Sequence, residues 1–165
     1  MIRPMTSNDI QHVQNIARKT WSDTYDGIIP ENIQSAFIEQ SYSAGMMLMR
    51  MKKTIVLIAE CEGTPVGFAN FTRKDDDGDS ELTAMYILPD HQQTGYGQKL
   101  FKAALLMLSD AEQLFVYVDG RNLIGRAFYE KQGFELLDVF EELFEGHPVE
   151  TAQYVYTIQS PALTY

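Results

Sequence analysis

Pro89-Asp90-His91-Gln92-Gln93-Thr94-Gly95-Tyr96-Gly97-Gln98 is the stretch on which the fold turns. Before it runs an apolar, strand-like segment from Glu81 to Leu88. After it, Leu100, Phe101, Ala104, Leu105 and Leu108 recur at helical spacing, predicting a helix from about Gly95 to Ser109. Two glycines one residue apart at a helix start let the backbone turn tightly and approach a ligand closely. The first amides of a helix lack intrahelical partners and sit at the positive end of its dipole. Such a turn can cradle a pyrophosphate, although glycines at a helix start also serve ordinary packing. It is not a P-loop, because the lysine and following Ser/Thr are missing. Nor is it a dinucleotide fingerprint, because Leu100 stands where the third glycine would be.

Upstream, Ile2-Arg3-Pro4-Met5 reads as a short strand and Thr6-Ser7-Asn8-Asp9 as a capping-box helix start. Ile10, Val13, Ile16 and Ala17 carry that helix to about Trp21. Pro30 suits the first turn of a second helix with Ile33, Phe37 and Ile38, and Met46 to Met51 continues helical before the sheet begins. Runs from Thr54 to Glu60 and from Pro65 to Phe71 flank Glu62-Gly63-Thr64 as a hairpin. A polar turn, Lys74 to Ser80, precedes a fourth strand opened by Glu81. Downstream come a strand from Leu114 to Val118, a helix from Leu123 to about Lys131 with Gly133 as its C-cap, and two last strands. Those strands run from Phe134 to Phe144 and from Thr151 to Ile158, separated by Gly146-His147-Pro148. The order β-α-α-β-β-β-α-β-α-β-β implies an α/β fold, with helices flanking a mixed sheet in a single domain over residues 1–165.

A second element strengthens the first. Asn122-Leu123-Ile124-Gly125-Arg126-Ala127-Phe128-Tyr129-Glu130-Lys131-Gln132-Gly133-Phe134 follows a strand of its own. With these two elements in this order, the chain resembles the GNAT superfamily of acetyl-CoA-dependent N-acetyltransferases. The match is most specific from Glu81 to Phe134. Gln92-x-x-Gly95-x-Gly97 matches that family's pyrophosphate motif. Asn122, Ala127, Phe128, Tyr129, Gly133 and Phe134 match its second signature. A looser likeness, Thr20-Trp21-Ser22-Asp23-Thr24-Tyr25 through Gly27-Ile28-Ile29-Pro30, is to a bacterial branch that includes polyamine acetyltransferases.

The resemblance implies roles. Tyr129 stands where the family's tyrosine protonates the departing CoA thiolate, and Asn122 where an asparagine fixes the pantetheine arm. Glu81, sixteen residues before Gly97, has the offset of the general-base glutamate in the histone-acetyltransferase branch. A hairpin-edge carboxylate beside the acidic turn is the other reading of Glu81. The amide of Met85 would polarise the acetyl carbonyl, and Met85, Tyr86 and Ile87 would pair their backbone with pantetheine. Gln92, Gln93, Thr94, Gly95, Tyr96, Gly97 and Gln98 would form the cradle. Thr94 departs from the family pattern, where many relatives carry a basic residue. Lys99, Arg126 and Lys131 are therefore the candidate charge partners.

Composition bounds the partners. A net charge of −10, from 13 basic and 23 acidic residues, disfavours nucleic acid and suits a cationic small amine, though it also serves solubility. With Cys61 the sole cysteine, no disulfide closes within the chain. Cys61 lacks an evident base, and His12, His91 and His147 are scattered; all four read as structural, and no metal is expected. No apolar run reaches a membrane span and no secretory signal opens the chain, so a cytoplasmic protein is expected. A homodimer is compatible with all of this. Two alternatives stand beside the small-amine acetyltransferase: a non-catalytic acyl-CoA-binding sensor, and an enzyme acting on a protein or peptide amine.

Overall fold

A computed structural model describes residues 1–158. Along the chain run β1 (Ile2–Pro4), α1 (Ile10–Tyr25), α2 (Glu31–Ser41), α3 (Ala44–Lys53), β2 (Ile55–Cys61), β3 (Thr64–Phe71) and β4 (Asp79–Ile87). Then come α4 (Tyr96–Met107), β5 (Gln113–Asp119), α5 (Leu123–Gln132), β6 (Glu135–Phe144) and β7 (His147–Thr157). The strands hydrogen-bond in the order β1-β2-β3-β4-β5-β7-β6. β4 and β5 pair in parallel, and β1–β2, β2–β3, β5–β7 and β6–β7 are antiparallel. The result is the expected α/β fold with a mixed sheet and flanking helices. No described helix is long and apolar enough to cross a membrane.

Three differences from the sequence reading stand out. Three helices, not two, precede β2. α2 stops at Ser41, and Ser43 takes an extended conformation whose hydroxyl accepts from the Met46 amide at 3.2 Å, starting α3 afresh. A serine cap thus starts the methionine-rich run as a helix of its own. β4 begins at Asp79, so Glu81 is its third residue and does not open the strand. β7 begins at His147, and the hairpin turn is Glu145-Gly146, both at positive φ (49° and 78°). Pro148 is tolerated inside β7 because β5 pairs only from Thr151 onward, leaving Pro148 one neighbouring strand.

The chain divides into two compact units. The first comprises Met1–Phe71 and Ala84–Ala104. Its core is built by Val13, Ile16 and Ala17 of α1, Met47 of α3, Ile58 and Phe68 of the β2–β3 hairpin, and Leu100 of α4, none more than 1% exposed. Those helical residues are the ones whose spacing marks an apolar stripe. At its N-terminus the Thr6 amide donates to Asp9 Oδ2 at 2.8 Å, the reciprocal arm of the capping box. Arg3 forks onto the same carboxylate at 2.8 Å.

The second unit comprises Thr72–Thr83 and the chain from Leu105 onward. Leu82, Leu114, Val116, Tyr129, Phe134, Ala152 and Tyr154 are its buried centre. α5 ends as the sequence implies, with Gly133 left-handed at φ 105° and its amide donating to the Glu130 carbonyl at 3.1 Å. Two elements, β4 and α4, contribute residues to both units.

Candidate functional site

In the first unit, the segment joining β4 to α4 is held by four short bonds. The Leu88 amide donates to the Val66 carbonyl at 2.8 Å, and the His91 amide donates to the Leu88 carbonyl at 2.8 Å. The Thr94 hydroxyl donates to the His91 carbonyl at 2.6 Å. Gln92 Nε2 donates to the Ile87 carbonyl at 2.9 Å, tying the loop to the strand it leaves. Gln93 and Gly95 both take positive φ, 61° and 94°. A Cβ on Gly95 would meet no heavy atom within 4 Å, so its backbone conformation demands glycine and the space beside it is open. The first helical bond runs from the Lys99 amide to the Gly95 carbonyl at 3.1 Å. The amides of Tyr96, Gly97 and Gln98 thus precede it, as donors for an anion. A pyrophosphate fits this donor set.

The side chains around that loop sort differently from the sequence reading. Lys99 is exposed, with its ammonium 5.7 Å from the Tyr96 ring centroid. Arg126 is already engaged in the second unit: Nε donates to the Tyr154 hydroxyl at 2.9 Å and Nη1 to the Gly120 carbonyl at 3.1 Å. Gln92, expected in the cradle, spends its side-chain amide on Ile87 and acts on loop shape. Cys61 hydrogen-bonds the Tyr96 hydroxyl, which raises that phenol's pKa.

The end of β4 carries Met85, Tyr86 and Ile87, all half-buried. Pairing with β5 covers only Asp79–Leu82 against Gln113–Val116, while β4 runs on to Ile87. Sequence reasoning gave Tyr86 a backbone role and missed its side chain. Trp21 Nε1 donates to the Tyr86 hydroxyl at 3.0 Å, which is also hydrogen-bonded to Tyr42. The Tyr86 ring stands edge-on to Phe68, centroids 5.5 Å apart. Desolvation lifts the Tyr86 pKa well above its ordinary value, so it stays a neutral phenol.

In the second unit, Glu81 is locked by its backbone. Its amide donates to Thr72 Oγ1 and its carbonyl accepts from the Thr72 amide, both at 2.9 Å. The carboxyl is half-buried, and desolvation raises its pKa. Asn122 is the N-cap of α5, its Oδ1 accepting from the Gly125 amide at 3.0 Å. A Cβ on Gly125 would stand 2.6 Å from Asn122 Nδ2, so that glycine makes room for the cap. Tyr129, 7% exposed, packs against Phe128, Phe134 and Tyr154 with centroids 5.3, 5.2 and 6.5 Å away. Its pKa is raised strongly by burial alone, with no charge or hydrogen bond contributing.

The acidic turn is also structured. Asp75 Oδ1 accepts from the Asp77 and Asp79 amides, each at 2.9 Å. Oxygens of Asp75, Asp77 and Asp79 lie within 4.8 Å of one another. Desolvation and repulsion from Asp75, Asp77 and Glu112 raise the Asp79 pKa.

Comparison with known proteins places this geometry. A model of the acetyltransferase (GNAT) domain matches residues 52–136, which include the whole β4–α4 loop and α5. An uncharacterized N-acetyltransferase of Mycobacterium tuberculosis is 30% identical over 113 residues, covering 66% of this chain and 71% of the relative. A spermidine N(1)-acetyltransferase of Thermoplasma acidophilum is 26% identical over 145 residues, 83% of this chain and 89% of that protein. The crystal structure of the PaiA N-acetyltransferase of Thermoplasma acidophilum in complex with coenzyme A superposes with a TM-score of 0.79. It is 24% identical and covers 94% of this chain and 98% of that one. The chain belongs to the GNAT family of acetyltransferases and is an acetyl-CoA-dependent N-acetyltransferase.

Proposed function

We propose that residues 1–165 work as one catalytic domain that acetylates a primary amine of a small cationic acceptor, of the polyamine class, by direct attack. Acetyl-CoA supplies an activated thioester carbonyl and a thiol leaving group. The Tyr96, Gly97 and Gln98 amides at the start of α4 hold its pyrophosphate, with Gln93, Thr94 and Gly95 shaping the approach and Gln92 bracing the loop. Backbone groups of Met85, Tyr86 and Ile87 align the pantetheine arm, the Met85 amide donates to the carbonyl oxygen, and Asn122 contacts the arm while capping α5.

Tyr129 carries this reading. Burial among Phe128, Phe134 and Tyr154 keeps its phenol protonated at neutral pH, so a proton is present for the departing thiolate, and the raised pKa makes it a weaker acid than a free tyrosine. Glu81 serves as the base. Free alkyl ammonium groups have a pKa near 10.4, so a proton must leave before attack. A carboxylate with a raised pKa is a better acceptor for it than an ordinary glutamate. The acceptor class rests on the net charge of −10, the acidic turn and the spermidine-acetylating relative. A cytoplasmic setting, with one free cysteine and no disulfide, goes with it.

The experiment is acetyl-CoA turnover against polyamines, amino acids, aminoglycosides and peptide N-termini. Spermidine or a close analogue should lead in kcat/KM. Turnover confined to peptide N-termini would replace the acceptor, and CoA binding with no turnover on any amine would leave a sensor.

A further inference from the structure

The end of β4 is clamped from several directions, all within the first unit. Gly67 of β3 lies so close that a Cβ there would stand 2.4 Å from Ile87 Cδ1 and 3.0 Å from the Tyr86 carbonyl oxygen. Gln92 Nε2 holds the Ile87 carbonyl at 2.9 Å, and the Leu88 amide holds the Val66 carbonyl at 2.8 Å. Tyr86 adds a side-chain anchor. Its hydroxyl accepts from Trp21 Nε1 at 3.0 Å and is bonded to Tyr42, so a strand residue is tied at its tip to α1 and to the residue following α2. Trp21 is fixed in turn, stacked on Phe37 with centroids 4.5 Å apart and tilted against Tyr25 at 4.6 Å. Tyr42 lies under the Arg50 guanidinium, 4.5 Å from its ring centroid.

This chain of contacts is rigid where rigidity matters. A donor to a developing oxyanion works only if its direction is set before reaction, and misplacement through distant residues is costly to rate. A tyrosine hydroxyl bonded to two neighbours cannot rotate away without breaking the bond it accepts from a buried indole N–H.

We propose that Trp21 and Tyr86 are positioning residues for acetyl transfer: their hydrogen bond sets the backbone of Met85–Ile87, and through it the direction of the Met85 amide. The inference rests on the proposed function and deepens it. Tyr86 acts through its own main chain, and Trp21 acts through Tyr86.

The test compares wild type, Tyr86→Phe, Trp21→Phe and the double variant. It reads kcat and KM for acetyl-CoA, Kd for CoA by calorimetry, and amide hydrogen exchange of residues 84–88. Tyr86→Phe keeps the ring against Phe68, so it is the variant expected to fold without difficulty. Each single substitution should lower kcat by about 10-fold. Kd for CoA should rise by less than kcat falls, because CoA carries the pantetheine arm that this backbone aligns but no acetyl carbonyl. The double variant should fall no further than the worse single, because both singles already remove the shared Trp21–Tyr86 bond. Exchange at residues 84–88 should accelerate.

Unchanged kcat and exchange in Tyr86→Phe would overturn the inference. So would single effects that multiply in the double variant, which is the behaviour of two independent packing residues. A wild type that binds CoA yet acetylates no amine would instead overturn the functional reading. The exchange comparison would then decide alone whether the Trp21–Tyr86 bond sets this strand.

Discussion

Tyr86 and Tyr129 are two phenols that burial keeps neutral, and their hydroxyls are treated in opposite ways. Tyr86, in the first unit, is bonded to Trp21 and Tyr42. Tyr129, in the second, is surrounded by Phe128, Phe134 and Tyr154, and burial alone shifts its pKa. A saturated hydroxyl is a strut, because breaking its bonds inside a protein costs more than making them contributes. A neutral phenol ringed by aromatic side chains still carries a proton that an acceptor can take. The raised pKa by itself does not tell the two apart; the hydrogen bonds around it do.

The comparison can be broken most severely at the cradle. Gly97→Trp puts an indole into the first turn of α4 and should abolish CoA binding, measured by calorimetry on a folded variant. Unaltered affinity would remove the pyrophosphate from this turn. Next comes Tyr129→Phe, which keeps the packing and deletes the proton. We expect kcat to fall by about 10²-fold or more, with the CoA Kd unchanged. Equal modest losses in Tyr129→Phe and Tyr86→Phe would erase the distinction between strut and acid.

Glu81 should show itself in pH dependence. Its raised pKa means the carboxylate forms only above the ordinary glutamate value of about 4.3, so kcat/KM should rise with pH through an inflection above that value. Glu81→Gln should flatten that acidic limb and cost about 10²-fold. A limb that survives the substitution would belong to another group, and a water chain would carry the proton.

Smaller effects sharpen the picture within each unit. Asn122→Ala removes the cap of α5 and should lower stability by about 1 kcal/mol in a denaturant titration. A simultaneous rise in KM for acetyl-CoA would show that Asn122 also touches the pantetheine arm. The smallest expected signal is electrostatic. If the acidic turn steers a polycation, kcat/KM for spermidine should fall several-fold as salt rises, while a neutral-side-chain amine barely responds. Equal response in both would leave Asp75, Asp77 and Asp79 as a solvated turn.

Much of this protein was legible in its residues. Gly95 at positive φ, Asn122 as a cap and Gly133 as a stop each follow from local rules that act over four residues or fewer. The apolar stripes of α1 and α4 are likewise set by neighbours one turn apart. Where sequence reading stumbled, a competing local signal was present but outweighed, as when Ser43 restarted the helix ahead of the methionines. The β6–β7 turn slipped because Pro148 looks like a loop residue until its lack of a second strand neighbour is known.

By itself the sequence determined the element types, the glycine positions that a ligand-facing turn requires, and a pair of motifs that point to one family. Tertiary structure alone decided that the Tyr86 hydroxyl meets Trp21 and Tyr42. It also committed Arg126 to Tyr154 and Gly120, and brought Trp21 to Tyr86 across 65 positions of chain. Local rules depend on torsions and turn-length spacing, which residue identity encodes directly. A hydrogen bond between distant side chains depends on where whole elements dock, and that is settled only when the core packs.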